Sequence, residues 1–151
     1  MAIFLVQHGK SFAKQADPNR SLTPEGREEI VRVSKQVAEA GITIATIFHS
    51  GKLRAQQTAE LFSQQLKAGR IESIKGIDPL DEVEVFVNRF QWSENAMIVG
   101  HLPFMERLTS TLLIGQQEPT IVKFQNAAII CLEKNEHNHW QVKWTIMPVI
   151  D

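Results

Sequence analysis

Short apolar runs alternate with helical patterns along much of the chain, and this alternation constrains the fold more than any other feature. Continuous apolar runs at 2–6, 44–48 and 96–99 predict buried strands, and a shorter strand is expected near 71–74. Buried strands that are separated by helices are typical of a mainly parallel sheet covered on both faces. We therefore predict an α/β protein with a three-layer α/β/α arrangement.

Helix signals lie between the predicted strands. Thr23 is expected to be the N-cap of the first helix, with Pro24 at its first position. Ser50 is expected to cap a second helix, which follows the strand at 44–48. Further helical patterns of apolar residues occur at 83–90 and 105–112. Each helix then connects two strands, as a parallel sheet requires.

The C-terminal part of the chain has a different pattern. Runs at 120–124 and 127–133 predict strands, and the stretch at 139–146 alternates between apolar and polar residues. This alternation places four apolar side chains on one face of the last strand: Trp140, Val142, Trp144 and Ile146. We predict that these strands form an antiparallel hairpin at one edge of the sheet. Since no linker interrupts the chain, we expect a single domain over 1–151.

Composition and charge narrow the function classes. Of the 151 residues, 43% are hydrophobic and 22% charged, and the formal net charge is -1. This balance gives no sign of nucleic-acid binding or of attachment to a membrane surface. A lone cysteine, Cys131, provides neither an internal disulfide nor a cysteine-rich metal site. The first residues lack the basic region and the apolar length of a signal peptide, so we expect a cytoplasmic protein.

Polar side chains follow three of the predicted strands at the ends where parallel sheets bind ligands. His8 follows the first strand, Arg54 lies just after the second, and His101 follows the strand at 96–99. Helix N-termini at the same edge add free backbone N–H groups and a positive dipole end. The sequence therefore predicts an anion pocket.

The predicted pocket also contains a candidate nucleophile. A neutral imidazole attacks phosphorus through one ring nitrogen while an acceptor holds the other, which suits His8. Arg54 provides a planar fork of donors for phosphate oxygens, and His101, when protonated, provides a second cation. Phosphoryl transfer depends mostly on such positioning and charge. This chemistry requires no metal ion or cofactor, and the sequence has no obvious metal cluster.

Four stretches of the sequence together resemble one protein family. LVQHGKS at 5–11, LTPEG at 22–26, FHSGKLRAQQTAE at 48–60 and VGHLPF at 99–104 are similar, in this order, to motifs of the histidine phosphatase superfamily. The short chain most resembles the SixA-type phosphohistidine phosphatases. This resemblance implies a phosphoglycerate mutase-like fold and hydrolysis of a phosphoryl group, without a metal, through phosphorylated His8.

The resemblance also assigns roles to residues and partners. It implies that Arg54 and His101 bind the phosphoryl group, and it makes Gly9 a further phosphate-binding candidate. The implied substrate is a phosphorylated protein, for example a histidine phosphotransfer domain. Small-molecule mutase activity is a weaker alternative, because the segment before the strand at 96–99 is too short to enclose a small substrate.

Two positions depart from the family pattern. The first motif of the family normally reads Arg-His-Gly, whereas this chain has Gln7 in the arginine position. The second motif normally has a proline after its serine, whereas this chain has Gly51 after Ser50. Glutamine donates hydrogen bonds but has no charge, so the loss of one charge-assisted contact predicts a rate penalty of at least about tenfold. Lys10 and Lys52 are candidate replacement cations. An alternative hypothesis is therefore a phosphate-binding or phosphoprotein-binding module of the same fold with little turnover.

The leaving group normally needs a general acid. Asp78, Asp81 and Glu82 are the candidates, and Glu82 is our predicted catalytic acid. Each of them is also typical of the acidic residues that begin a helix. Phosphohistidine leaves readily once its ring is protonated, so a weak acid matters less for this substrate. The predicted site is open, which suits a phosphate displayed on a protein surface.

Overall fold

The regular elements follow the predicted alternation of strands and helices. The computed structural model describes residues 1–150 of the chain. The strands are β1 Ala2–Gln7, β2 Thr46–His49, β3 Arg70–Ser73, β4 Ala96–Gly100, β5 Ile129–Lys134 and β6 Trp140–Ile146. The helices are α1 Pro24–Glu39, α2 Leu53–Leu66, α3 Val83–Arg89 and α4 Phe104–Ile114.

The strands form one sheet in the order β3-β2-β4-β1-β5-β6. The first four strands in this order, β3, β2, β4 and β1, run parallel to one another. β5 runs antiparallel to β1, and β6 runs antiparallel to β5. The predicted mainly parallel sheet with an antiparallel edge hairpin is confirmed. Because four strands point the same way, their carboxyl ends meet at one edge of the sheet.

Side chains of β1 alternate between two apolar layers, which explains why its sequence is apolar throughout. Phe4 and Val6 pack in a cluster with α1 and α2, whereas Ile3 and Leu5 pack in a second cluster with α3 and α4. A strand buried on both faces needs apolar residues at every position. The α/β/α layering is therefore confirmed, with β1 at its centre.

The start of α1 also follows the prediction. Thr23 accepts a hydrogen bond from Gly26 N–H at 2.9 Å through Oγ1, and Pro24 is the first helical residue. Ser50, by contrast, is not the N-cap of α2, because the helix begins later and Lys52 occupies the cap position. Ser50 instead accepts a hydrogen bond from Lys52 N–H at 3.3 Å.

Two predictions for the C-terminal part are wrong. Residues 120–124 form no strand; the backbone N–H of Phe124 donates to Glu106 Oε2 at 3.0 Å instead of joining a ladder. In β6 the four apolar residues do not share one face. A shift in register between Cys131 and Leu132 adds one residue to β6. Trp140 therefore packs with the α3–α4 layer, and Trp144 packs with the α1–α2 layer.

Within the described residues, no helix combines the length and the apolar character that crossing a membrane requires.

Candidate functional site

His8 and His101 lie together at the carboxyl ends of two neighbouring strands. β1 and β4 pair in parallel with Gln7 opposite Gly100, so the residue after each strand emerges at the same level. His8 N–H donates to the carbonyl oxygen of Gly100 at 3.1 Å, and the two imidazole centroids are 5.1 Å apart. The sheet thus places two imidazoles side by side.

The imidazole of His8 is held in one orientation. Nδ1 lies 2.7 Å from the carbonyl oxygen of Gly9, which can only accept, so Nδ1 carries the proton in the neutral ring. The backbone of His8 is also fixed, since its carbonyl oxygen accepts from Asn126 Nδ2 at 3.1 Å and from Ala127 N–H at 3.2 Å. This arrangement leaves Nε2 of His8 with its lone pair unprotonated, as a nucleophile requires.

The loop after His8 is joined to the start of α2. Gly9 N–H donates to Thr58 Oγ1 at 3.0 Å, and the Thr58 hydroxyl donates to the carbonyl oxygen of Arg54 at 2.8 Å. A Cβ atom at position 9 would overlap the side chain of Ile30, so this packing requires glycine. The Thr58 hydroxyl therefore connects the backbone next to His8 with the backbone of Arg54.

His101 is fixed from the neighbouring crossover. Its Nε2 lies 2.6 Å from Ser50 Oγ, which connects the ends of β4 and β2. Its Nδ1 is buried and has no hydrogen-bond partner in the part of the chain that the structure describes. Buried polar atoms are normally paired, so this unpaired Nδ1 is an exception in the core of the site.

Burial keeps both imidazoles neutral. It lowers the pKa of His8 to about 4, against an opposing effect from the Gly9 hydrogen bond, and the charges of Arg54 and Arg20 lower it further. Burial also lowers the pKa of His101 to about 3, with smaller effects from His8 and Arg54. A neutral His8 suits nucleophilic attack. His101 is then neutral near pH 7 as well, and the positive charges that act on it are those of Arg54, Lys52 and Arg20.

Arg54 provides one of those charges. Its side chain is half-buried, and its Nε is buried without a hydrogen-bond partner among the described residues. Burial lowers the pKa of Arg54, and the charge of Arg20 lowers it further, whereas the charge of Asp78 raises it. A guanidinium with an unused donor in this position is ready to bind an anion.

Arg20 is a candidate site residue that the sequence did not indicate. Its charge lowers the pKa of both histidines and of Arg54, so it lies within electrostatic range of all three. It is held by the loop that follows His8, since Nε donates to Phe12 O at 3.2 Å and Nη2 to Ser11 Oγ at 3.3 Å. An arginine in an irregular loop has no periodic pattern that would have identified it. Its place shortly before the LTPEG motif was the available signal.

Gln7 is buried beside the two histidines, at 5% exposure, and its Oε1 has no hydrogen-bond partner within residues 1–150. The structure does not bring Lys10 to this group, because Lys10 Nζ pairs with Glu25 at 3.0 Å. Lys52 is closer, since its charge lowers the pKa of His101. Arg20 and Lys52 are therefore the cations, besides Arg54, whose charge reaches the histidines.

The acidic candidates border a cleft beside the histidines. A cavity of about 650 Å³ is lined by Ser50, Asp78, Asp81 and Glu82, among others. Glu82 is exposed at the N-cap position of α3, and Asp81 accepts a hydrogen bond from Asp78 N–H at 2.8 Å. Asp78 is the only one of the three whose charge affects Arg54. Within residues 1–150, no group of three or more His, Cys, Asp and Glu side chains is arranged to hold a metal ion.

The depressed pKa values of the histidines make stability depend on pH. In the folded protein the pKa is about 4 for His8 and about 3 for His101, below the ordinary 6.5. Between these values and pH 6.5, the unfolded chain therefore binds more protons than the folded protein. We expect the free energy of unfolding to fall as the pH drops below about 6.5, by up to about 1.4 kcal/mol per histidine per pH unit. Urea unfolding between about pH 7.5 and 5 measures this loss.

The control for this prediction compares two histidine variants. His8→Gln removes one buried imidazole and should make the pH dependence shallower, whereas His139→Gln, at an exposed position, should leave it unchanged. Equal slopes for the original protein and for both variants would contradict the assignment of the pH dependence to the buried pair.

Comparison with known proteins agrees with this geometry. Residues 3–86 match the sequence model of the histidine phosphatase superfamily, branch 1. An uncharacterized protein of Picosynechococcus is 24% identical over 124 residues, which cover 77% of this chain and 75% of that protein. The 2,3-bisphosphoglycerate-dependent phosphoglycerate mutase of Bartonella henselae is 31% identical over 80 residues, which cover 48% of this chain but only 38% of the mutase.

Solved structures with the same fold cover nearly the whole chain. The protein histidine phosphatase SixA, solved with tungstate, has a TM-score of 0.81 at 24% identity, covering 98% of this chain and 97% of SixA. The alpha-ribazole phosphatase of Shigella flexneri has a TM-score of 0.78 at 16% identity, covering 100% and 98%. These likenesses confirm the phosphoglycerate mutase-like fold. Since the matched sequence model spans more than half of the chain, this protein belongs to the histidine phosphatase superfamily, branch 1.

Proposed function

We propose that this protein is a phosphatase that removes the phosphoryl group from a protein phosphohistidine through phosphorylated His8. The observation that carries the proposal is the fixed, neutral imidazole of His8, with Nδ1 bound to Gly9 O at 2.7 Å and Nε2 left for attack. The charge of the partly buried Arg54 guanidinium reaches His8, since it lowers the pKa of that imidazole, and we propose that it binds the transferring group. The proposed route uses imidazole and guanidinium groups and needs no metal or cofactor.

The proposed reaction has two steps. In the first, Nε2 of His8 attacks phosphorus, the phosphorus–nitrogen bond of the substrate breaks, and the leaving imidazole takes up a proton. In the second, water attacks the phosphoryl group on His8, inorganic phosphate leaves, and the lone pair returns to Nε2. Arg54 and Arg20 stabilise the charge on the equatorial oxygens in both steps. We propose that His101 and Gly9 complete the pocket.

Glu82 is the proposed proton donor to the leaving group, and Asp78 is a second candidate because its charge reaches Arg54. The cleft that both residues line opens next to Ser50, on the side of the pocket where a leaving group would depart. Since phosphohistidine leaves readily, the proposal does not depend on a strong acid at either position.

The proposed substrate is a phosphorylated protein, for example a histidine phosphotransfer domain. The connection between β3 and β4 holds only the seven-residue helix α3, so it builds no large cover over the histidines. A small substrate would gain little enclosure here, whereas a phosphohistidine on a protein surface could reach Nε2 of His8. We further propose that residues 1–151 act as one domain, in the cytoplasm.

A second candidate is a phosphate-binding module with little turnover. Gln7 favours it, because its buried Oε1 has no partner and its amide has no charge to stabilise a transition state. The arginine of the family pattern would add one charge-assisted contact to the phosphoryl group. The two candidates therefore differ in rate rather than in the place where phosphate binds.

Gln7→Arg is expected to raise kcat between about tenfold and a hundredfold if Gln7 limits turnover, because the new contact strengthens in the transition state. The assay uses p-nitrophenyl phosphate and a phosphorylated histidine phosphotransfer domain, with His8→Asn as the blank. Gln7→Lys is the matched control, since it restores the charge without the planar fork.

The outcomes separate the candidates. Turnover by the original protein above the His8→Asn blank supports the phosphatase. If only Gln7→Arg turns over, the binding module is the better description of this chain. Product release that is equal in the original protein and in His8→Asn would overturn the proposed enzyme.

A further inference from the structure

One face of the sheet is left partly uncovered at its β3 edge. α1 and α2 cover one face with 16 and 14 residues, whereas α3 and α4 cover the other with only 7 and 11. A cleft of about 650 Å³ lies on the second face beside β2 and β3, and its lining combines aromatic and cationic side chains. The residues that line this second cleft have no role in the chemistry proposed above.

The apolar wall of the β3-edge cleft is pre-ordered. Phe90 contacts Phe48 edge to face at 5.1 Å and Trp92 at 4.9 Å, and it stacks on Phe86 at 4.9 Å between ring centroids. Phe48, Phe90 and Trp92 are only partly buried, so the rings offer apolar surface to a partner without moving. Rigid aromatic side chains lose little conformational entropy on binding, which is why they dominate interface energetics.

The charged side of the same cleft is predominantly basic. Arg70, Lys75 and Arg89 line it together with a single acid, Glu72, which pairs with Arg70 at 3.0 Å. Arg89 Nη2 donates to the carbonyl oxygen of Lys75 at 3.2 Å. Among the described residues, neither Lys75 nor Arg89 forms an ion pair. Asp78, Asp81 and Glu82 line the neighbouring cleft with Lys75 and Arg89, but none of these carboxylates is within ion-pair distance of either cation.

The β3-edge cleft shares lining residues with the cleft that carries the acidic candidates. Lys75 and Arg89 line both, and the latter cleft also contains Ser50, whose Oγ lies 2.6 Å from His101 Nε2. A molecule seated along these two clefts would therefore extend from Ser50, next to His101, to the aromatic wall. Only a substrate much larger than a phosphate can use both places at once.

We propose that the β3-edge cleft docks the phosphoprotein substrate. Carboxylates of the partner would bind Lys75 and Arg89, and an apolar side chain beside them would pack on Phe90 and Trp92, while the phosphorylated residue enters the pocket at His8. This inference rests on the proposed function, since it takes the phosphoprotein as the occupant. It assigns partner selection to residues that take no part in phosphoryl transfer.

The test measures binding separately from turnover. A phosphorylated histidine phosphotransfer domain from the same organism is titrated by calorimetry into His8→Asn protein, which retains the clefts. Lys75→Glu, made in this background, is expected to weaken the affinity at least about fivefold and to reduce its dependence on salt, because one attraction becomes a repulsion. Lys35→Glu, at an exposed position on α1 of the opposite layer, is the matched control and should bind like the parent.

Each outcome decides the proposal. Equal affinity for Lys75→Glu, Lys35→Glu and the parent overturns it, as does a parent that does not bind the domain. A dimer of the unliganded protein that Lys75→Glu dissociates would also overturn it, because the cleft would then belong to a second copy. Hydrolysis of p-nitrophenyl phosphate by the original protein tests the proposed function alone. If that hydrolysis is absent while Lys75→Glu still weakens binding, the docking surface stands and the phosphatase does not.

Discussion

His8→Ala is expected to lower the rate of phosphate release at least about a thousandfold from both p-nitrophenyl phosphate and a phosphohistidine domain. Its Nε2 is free to attack because Nδ1 is bound to Gly9 O at 2.7 Å, whereas His101 Nε2 is 2.6 Å from Ser50 Oγ and His101 Nδ1 is buried. Without this nitrogen no covalent intermediate forms, and the bound phosphoryl group can react only with water. Steady-state kinetics measures the loss.

The control for His8→Ala separates chemistry from folding. His139→Ala changes an exposed histidine and should retain full activity. Thermal unfolding establishes that His8→Ala is folded, and retained binding of inorganic phosphate establishes that Arg54 and Arg20 still form the pocket. A folded His8→Ala protein that turns over as the original does would show that another group receives the phosphoryl group.

Arg54→Ala is expected to reduce kcat/KM by about a hundredfold to a thousandfold. The charge of the half-buried guanidinium lowers the pKa of both histidines, and we expect this guanidinium to bind the transferring oxygens. Position 7 holds an uncharged glutamine, so it cannot replace the charge that is lost when Arg54 is removed. Most of the loss should therefore appear in kcat rather than in KM, and initial rates over a range of substrate concentrations separate the two.

Two further variants test the role of Arg54 itself. Arg54→Lys keeps the charge but loses the planar fork, so it should restore only part of the activity. Arg27→Ala removes an exposed arginine of α1 and should have no effect. If Arg54→Ala retains the original kcat/KM, the phosphoryl group binds elsewhere and the proposed pocket is wrong.

The parallel part of the fold was predictable because each buried strand has a direct sequence signal. β1 and β4 are apolar at nearly every position because both faces are covered, and this pattern does not depend on their neighbours. The parallel direction of the strands then brings their carboxyl ends together. The sequence could therefore place His8 and His101 at one edge before any contact was known.

The errors occur where long-range contacts decide the result. The alternation in β6 predicts one apolar face, but a bulge opposite Cys131 and Leu132 sends Trp140 and Trp144 to opposite layers. The alternation in β6 does not indicate where β6 itself carries an extra residue relative to β5. In the same way, the segment at 120–124 has the composition of a strand but finds no partner strand, and Phe124 binds α4 through Glu106 instead.

The electrostatics of the candidate site were also beyond sequence analysis. His101 was a plausible cation by residue type, but burial lowers its pKa to about 3, and only the folded structure determines burial. Arg20 reaches the pocket through a loop of irregular backbone that Phe12 O and Ser11 Oγ hold in place. Both differences follow from tertiary packing, and together they move the positive charge of the pocket from a histidine to an arginine.

Trapping the phosphorylated protein tests the central claim, that His8 receives the phosphoryl group, most directly. The protein is mixed with a phosphohistidine domain, quenched in alkali during the first turnover, and examined by peptide mass spectrometry and phosphorus NMR. We predict one acid-labile phosphoryl group per chain, on Nε2 of His8, which disappears as phosphate is released. Turnover with no phosphorylated protein, or with the phosphoryl group on another residue such as His101, would contradict the account.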